Sequence, residues 1–291
     1  AGNSIASGSQ YNVVIGDEAG TAITTGDQNT AIGFEALKTE DTGSRNIAIG
    51  AYTLNVLNND ASSYNTAMGY AAGLSITTGI QNTLVGGLVG DALIDADYNV
   101  ALGAYALTSD TYGSKSTALG VDALATQNFT TATDAYNTAI GYKAGDAVTT
   151  GVQNTLIGGN AGDALTDADY NTAVGVGALG SDTLGSRATA VGYATLFTQN
   201  FTTATNSYNV AVGYNAGTAV TTGIQNTIMG GLAGDAITTG DNNTAFGYLA
   251  LSTEDASDRS TAVGYRALST QNSGDASAGN TAVGYDAGFA I

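Results

Sequence analysis

The sequence predicts an all-β protein: a parallel β-solenoid of about sixteen coils. Three observations point there. A glycine that follows a short Asn-Thr-Ala-aliphatic string recurs at a near-constant interval, that from Gly16 to Gly33; glycine is abundant (41 of 291 residues); and proline is absent. A period of about 17 residues is too short for helical-hairpin repeats, which need more than about thirty, and suits one turn of a β-solenoid.

The anchor glycines are Gly16, Gly33, Gly50, Gly69, Gly86, Gly103, Gly120, Gly141, Gly158, Gly175, Gly192, Gly213, Gly230, Gly247, Gly264 and Gly284. Eleven of the fifteen intervals equal the first; the longer ones precede Gly69, Gly141, Gly213 and Gly284 and close larger blocks. Each full block, such as that from Gly69 to Gly141, holds four coils. The residue four after the anchor confirms the register by reading Gly, Gly, Leu, Leu: Gly73, Gly90, Leu107, Leu124, then Gly145, Gly162, Leu179, Leu196, then Gly217, Gly234, Leu251, Leu268. The first block reads only Gly20, Leu37, Leu54. The chain is therefore a single repetitive domain, 1–291, with blocks over 12–64, 65–136, 137–208, 209–279 and a partial 280–291. The C-terminal end falls inside a repeat, which suggests that the natural chain continues.

Within each coil the string before the anchor is a strand, since it is short, rich in β-formers and followed by turn residues such as Thr149-Thr150-Gly151. Alternation places two sets of side chains on opposite faces. One face carries the position three before the anchor (Thr30, Thr66, Thr83, Val100) and the position one before it (Ile15, Ile32, Val85, Leu102, Phe246), with Tyr often just after it; the other carries Asn, Ala and Gly. The position before the anchor is apolar in all sixteen coils, so burial is expected, and Thr three before it is expected under the same cover. The small-residue face suits either a thin interior or a close approach between chains. Two covered faces are easier to build when several chains share a core, which predicts a homotrimer or filament. Asn four before the anchor, present in thirteen of sixteen coils, predicts a ladder of side-chain hydrogen bonds to neighbouring Asn and to turn backbone.

Composition narrows the function. With no Cys and no His, thiol nucleophiles, thiolate metal sites, the commonest general base and most serine triads are excluded. A formal charge of −18 argues against nucleic acid and anionic membrane as partners, and no apolar run is long enough to span a bilayer. No catalytic, cofactor-binding or metal-binding residue is assigned, and no enzyme is expected. The acidic turns at Asp95 and Asp97, and at Asp167 and Asp169, read as ordinary turns, with a calcium site as the alternative; calcium needs six to eight converging oxygens, and the EF-hand spacing with its final Glu is missing. Glu40-Asp41 and Glu254-Asp255 read as exposed turn acids rather than a glycosidase pair.

Four of the seven basic residues (Arg45, Lys115, Arg187 and Arg259) stand five before an anchor in the last coil of a block, four or five residues after Asp41, Asp110, Asp182 and Asp255. They read either as weak solvated ion pairs with those acids or as pairs between chains. Tyr70, Tyr142, Tyr193, Tyr214, Tyr248, Tyr265 and Tyr285 read as cover for the groove beside the strand, or as a glycan-stacking stripe. The insertions Thr130–Thr133 and Thr202–Thr205 are expected as surface bulges or spacers.

The strings Asn243-Thr244-Ala245-Phe246-Gly247-Tyr248-Leu249-Ala250-Leu251 and Thr261-Ala262-Val263-Gly264-Tyr265-Arg266-Ala267-Leu268 resemble the Asn-Thr-Ala-x-Gly-Tyr-x-Ala-Leu repeats of large phage tail fibres and bacterial surface fibres. They are also similar to the head repeats of trimeric autotransporter adhesins, whose period is shorter. The resemblance covers essentially the whole chain. It implies a left-handed β-roll, trimeric in the adhesins, outside the cell on a virion or bacterial surface, with a structural and adhesive role and a cell-surface receptor or glycan as possible partner. The chain carries no recognisable chaperone, coiled-coil stalk or membrane anchor. A ligand-binding solenoid for ice or glycan, or a subunit of a polymerising filament, is the alternative. Sixteen coils at about 4.8 Å each would make a rod of about 75 to 80 Å.

Overall fold

The computed structural model describes residues 1–6, 8–272 and 279–289. Among them there is no helix; the chain is a parallel β-solenoid of about sixteen turns of about 17 residues. It divides into two compact units, Ala1–Lys143 and Ala144–Ile291.

In the first unit eight three-residue strands, from Val13–Ile15 to Thr138–Ile140, pair in parallel and in strict register, each with the strand one coil on. Val100, Ala101 and Leu102, for example, lie against Thr117, Ala118 and Leu119. The second unit repeats this with eight strands from Thr155–Ile157 to Thr281–Val283. Equivalent residues therefore stack in columns along each unit.

The anchor glycine makes this stacking possible. At Gly103 φ is +133°, a conformation that L side chains rarely adopt, and a Cβ there would sit 2.4 Å from the carbonyl oxygen of Gly120 in the next coil. No other residue fits a backbone that tight.

The small-residue face is the interior. Ala101, Ala118 and Ala139, two before their anchors, are completely buried, as are Leu84, Leu156 and Ile228 at the same position in the second coil of each full block. Volume is balanced across the core. Where Gly stands four after the anchor, an aliphatic side chain three residues later fills the space: a Cβ on Gly90 would meet Leu93 Cδ1 at 2.8 Å and Leu84 Cδ2 at 3.1 Å. Where Leu stands there, as at Leu107 and Leu179, the position three residues later is polar, Leu57 after Leu54 excepted. Interiors close-packed to this degree tolerate such trades and little else.

The other face points outward, so the residue before the anchor, expected to be buried, has no cover from its own coil. Met68 is 40% exposed and Phe246 50%. The Thr three before the anchor, expected under cover, is half-exposed at Thr155, Thr172 and Thr189 and exposed at Thr227. The two Thr-rich insertions are exposed, as expected, but they also end in pairing: Gly113–Ser114 lies parallel to Thr133–Asp134, and Gly185–Ser186 to Thr205–Asn206.

Candidate functional site

The chain offers three sets of side chains able to carry a function: a buried polar network at each block end, the uncharged outward face, and a row of tyrosines and cations at its edge.

The buried network begins with the Asn ladder, formed as expected. Asn82 Oδ1 accepts from the backbone N–H of Asn99 at 3.0 Å, while its Nδ2 donates to the carbonyl of Ala96 at 2.7 Å. Asn99 in turn accepts from Ser116 N–H at 2.9 Å. There the ladder lacks an amide, because Ser116, Ala188 and Ser260 replace Asn in the last coil of each full block. Gln127 takes over. Its Oε1 accepts from Asn137 Nδ2 at 2.8 Å, and its Nε2 donates to Asp110 Oδ2 at 2.5 Å and to Ser116 Oγ at 3.1 Å. Asp110 Oδ1 accepts from the N–H groups of Gly113 (3.0 Å) and Phe129 (3.2 Å).

The same arrangement recurs at Asp182, Gln199 and Asn209, and at Glu254, Gln271 and Asn280. The first block has only the acid, Glu40, which accepts from Gly43 and Asn59 N–H. All four acids are completely buried. Burial raises the pKa of Asp110 and of Glu40 above the usual carboxylate range, with the backbone N–H bonds, and Gln127 at Asp110, pulling the other way.

These placements correct two expectations. Glu40 and Glu254 are interior, not exposed turn acids. Asp110 and Asp182 are not partners of the following cations. Lys115 instead pairs with Asp134 at 2.5 Å, Arg45 bonds Ser62 Oγ, and Arg187 Nε donates to Asn206 Oδ1 at 2.9 Å, all within the chain. The sequence did contain the signal: seven after the anchor, each full block reads aliphatic, aliphatic, acid, Gln, as in Ile76, Leu93, Asp110, Gln127.

The acidic turns weighed for calcium are used in linking coils. Asp97 Oδ1 accepts from Ile80 N–H at 2.8 Å and Asp95 from Thr78 Oγ1 at 2.7 Å; Asp169 and Asp167 repeat this with Val152 and Thr150. Among the described residues no three His, Cys, Asp or Glu converge as metal ligands.

On the outward face, the columns three and one before the anchor hold only Thr, Val, Ile, Leu, Met and Phe in all sixteen coils. Beside them the tyrosines that follow the anchor are exposed rather than sealing a groove, and several stack on each other. Tyr193 and Tyr214 are nearly parallel at 5.5 Å, Tyr248 and Tyr265 at 5.7 Å, and Tyr265 and Tyr285 at 5.0 Å. Rings that face one another present edges outward, which is poor geometry for a sugar platform. On the other edge, five before the anchor, tyrosines meet the cations: Arg187 lies 4.6 Å over Tyr170, Lys115 5.2 Å over Tyr136 and Arg45 5.4 Å over Tyr64.

Among the described residues no helix is long and apolar enough to cross a membrane. No protein-family model matches the chain, and neither does any curated protein or solved structure.

Proposed function

We propose that the chain is a structural and adhesive shaft of an extracellular fibre, of the phage tail fibre or bacterial surface type, in which three copies pack their outward aliphatic faces together. One observation carries this reading: the residue before the anchor is apolar in every coil yet points away from the coil's own core. In each unit the Thr and aliphatic columns run over eight coils, a strip about 38 Å long and about 10 Å wide at ordinary strand spacings. Uncharged apolar patches of that order on soluble proteins mark contact sites. The charge distribution agrees. In a chain of net charge −18, these two columns carry no charge at all, so copies can meet there without bringing like charges together.

Sedimentation of the native chain tests the assembly. A mass near three times 28.8 kDa is expected, falling to one chain when Val174 and Val191 are both replaced by Asp. A monomeric native chain overturns the shared-core trimer; an open-ended distribution indicates a polymerising filament instead.

A second reading rests on the half-exposed Thr column, where Thr155, Thr172 and Thr189 repeat in register beside aliphatic residues. Such a regular array suits ordered water or ice. A monomer that shapes growing ice crystals would support it over the fibre.

A further inference from the structure

Two corresponding positions in successive blocks differ in a way that changes their chemistry. Lys115 and Arg187 occupy the same place in their blocks, as do Asp134 and Asn206. In the first pair of coils the ammonium is neutralised: Lys115 Nζ lies 2.5 Å from Asp134 Oδ2 and 3.2 Å from the Tyr136 hydroxyl. In the second pair the acid has become an amide. Arg187 Nε donates to the Asn206 side-chain oxygen, and no carboxylate pairs with this guanidinium among the described residues. On a strongly acidic chain, Arg187 is thus an exposed cation whose Nε is bonded to an uncharged neighbour.

Aromatic rings flank it. Tyr170, one coil before, lies under the guanidinium at 4.6 Å and is 43% exposed; Tyr208, one coil after, is 52% exposed. The strands beside these residues are in register, Thr172 against Thr189 and Thr189 against Val210, so the three side chains stand in one column. Tyr170, Arg187 and Tyr208 have φ of +61°, +64° and +51°, a left-handed conformation that favours Gly and Asn, which the chain does use in this column at Asn242 and Gly279. Most other coils also carry Tyr, Gln or a cation at this position, Tyr98, Lys115 and Tyr136 among them, so what sets the Arg187 site apart from its Lys115 counterpart is Asn206 in place of an acid.

We infer that Tyr170, Arg187, Asn206 and Tyr208 form a binding site for a carboxylated sugar, such as a uronic acid unit of an acidic polysaccharide. The guanidinium supplies a planar fork for the carboxylate. The exposed face of Tyr208 takes the apolar face of the ring, and the Asn206 amide fixes the arginine. The site rests on the attachment reading above and names its ligand class. The Lys115 counterpart, closed by Asp134, is not such a site.

The test is calorimetric titration of the full chain with trigalacturonate, with its methyl ester as neutral control. Saturable binding of the acid and none of the ester is expected. Arg187→Gln and Asn206→Asp should each weaken it at least tenfold, the second by restoring the internal neutralisation seen at Lys115. Tyr208→Leu should weaken it several-fold, and Lys115→Gln should leave it unchanged. Absence of saturation at millimolar sugar, equal binding of the ester, or unchanged affinity in Arg187→Gln or Asn206→Asp overturns the site. Sedimentation of the same variants separates the two proposals. A chain that assembles but ignores the acidic sugar loses only this site, and one that binds the sugar as a monomer loses only the fibre.

Discussion

Gln127 Nε2 donates to Asp110 Oδ2 at 2.5 Å across one coil, and both side chains are completely buried. A carboxylate placed in a core of Ala and Leu is tolerated because two backbone N–H groups and this amide saturate it. Gln127→Leu removes the amide and leaves Asp110 short of a donor and Asn137 short of an acceptor. The expected loss is about 2 to 4 kcal/mol. Replacing Asp110 by Leu as well should recover part of it, since Leu54 and Leu57 already occupy one coil together, both buried. Denaturant melts of the two single variants and the double variant check the coupling.

Acid should stabilise this protein. Burial raises the pKa of Asp110 and Glu40 in the folded chain above their unfolded values. Between the two values the folded state holds protons that the unfolded state has lost, so stability falls as pH rises through that window and is recovered on acidification. Relief of repulsion in a chain of net charge −18 acts in the same direction. A Tm higher by a few degrees at about pH 5 than at pH 8 is expected, with a smaller rise in Asp110→Asn.

Gly103→Ala should be among the most damaging single changes. It places a Cβ 2.4 Å from the Gly120 carbonyl oxygen at φ +133°, which costs about 3 kcal/mol or more. Gly87, where a Cβ would have nothing within 4 Å, should accept Ala with a change within about 1 kcal/mol. Thermal melts of the two variants give the contrast directly.

Asn82→Ala opens the ladder. The N–H of Asn99 and the carbonyl of Ala96 both lose their partner inside the core, and a loss of about 2 to 4 kcal/mol is expected. Hydrogen exchange should show Asn99 N–H losing protection while coils several turns away keep theirs, because each coil contacts only its neighbours.

The period, the strands and the Asn ladder were legible because each depends on a local requirement: a glycine where no side chain fits, a β-rich triplet, an amide at a fixed offset. The interior face was not. Alternation says that Ala101 and Leu102 point opposite ways but not which way is in, and the larger apolar residue lies outside, against the usual preference. The acids were misread for a related reason. Asp110 stands five before Lys115, a spacing that invites a surface pair, and only its place three residues after Leu107, where other coils carry an aliphatic residue, marks it as interior. The uncharged partner of Arg187, Asn206, is distant in sequence and brought alongside only by the coil.

The alternation of Gly and Leu four after the anchor has a hereditary consequence. Each four-coil block carries its own complete set of complements, so a whole block can be lost or gained without mismatching its neighbours, and the three-coil first block still stacks in register. Removing residues 193–264 joins Gly192 to Tyr265 and restores every column. Misaligned recombination between the DNA of two blocks would therefore yield a shorter or longer protein that still packs. Length in such a lineage can drift by whole blocks.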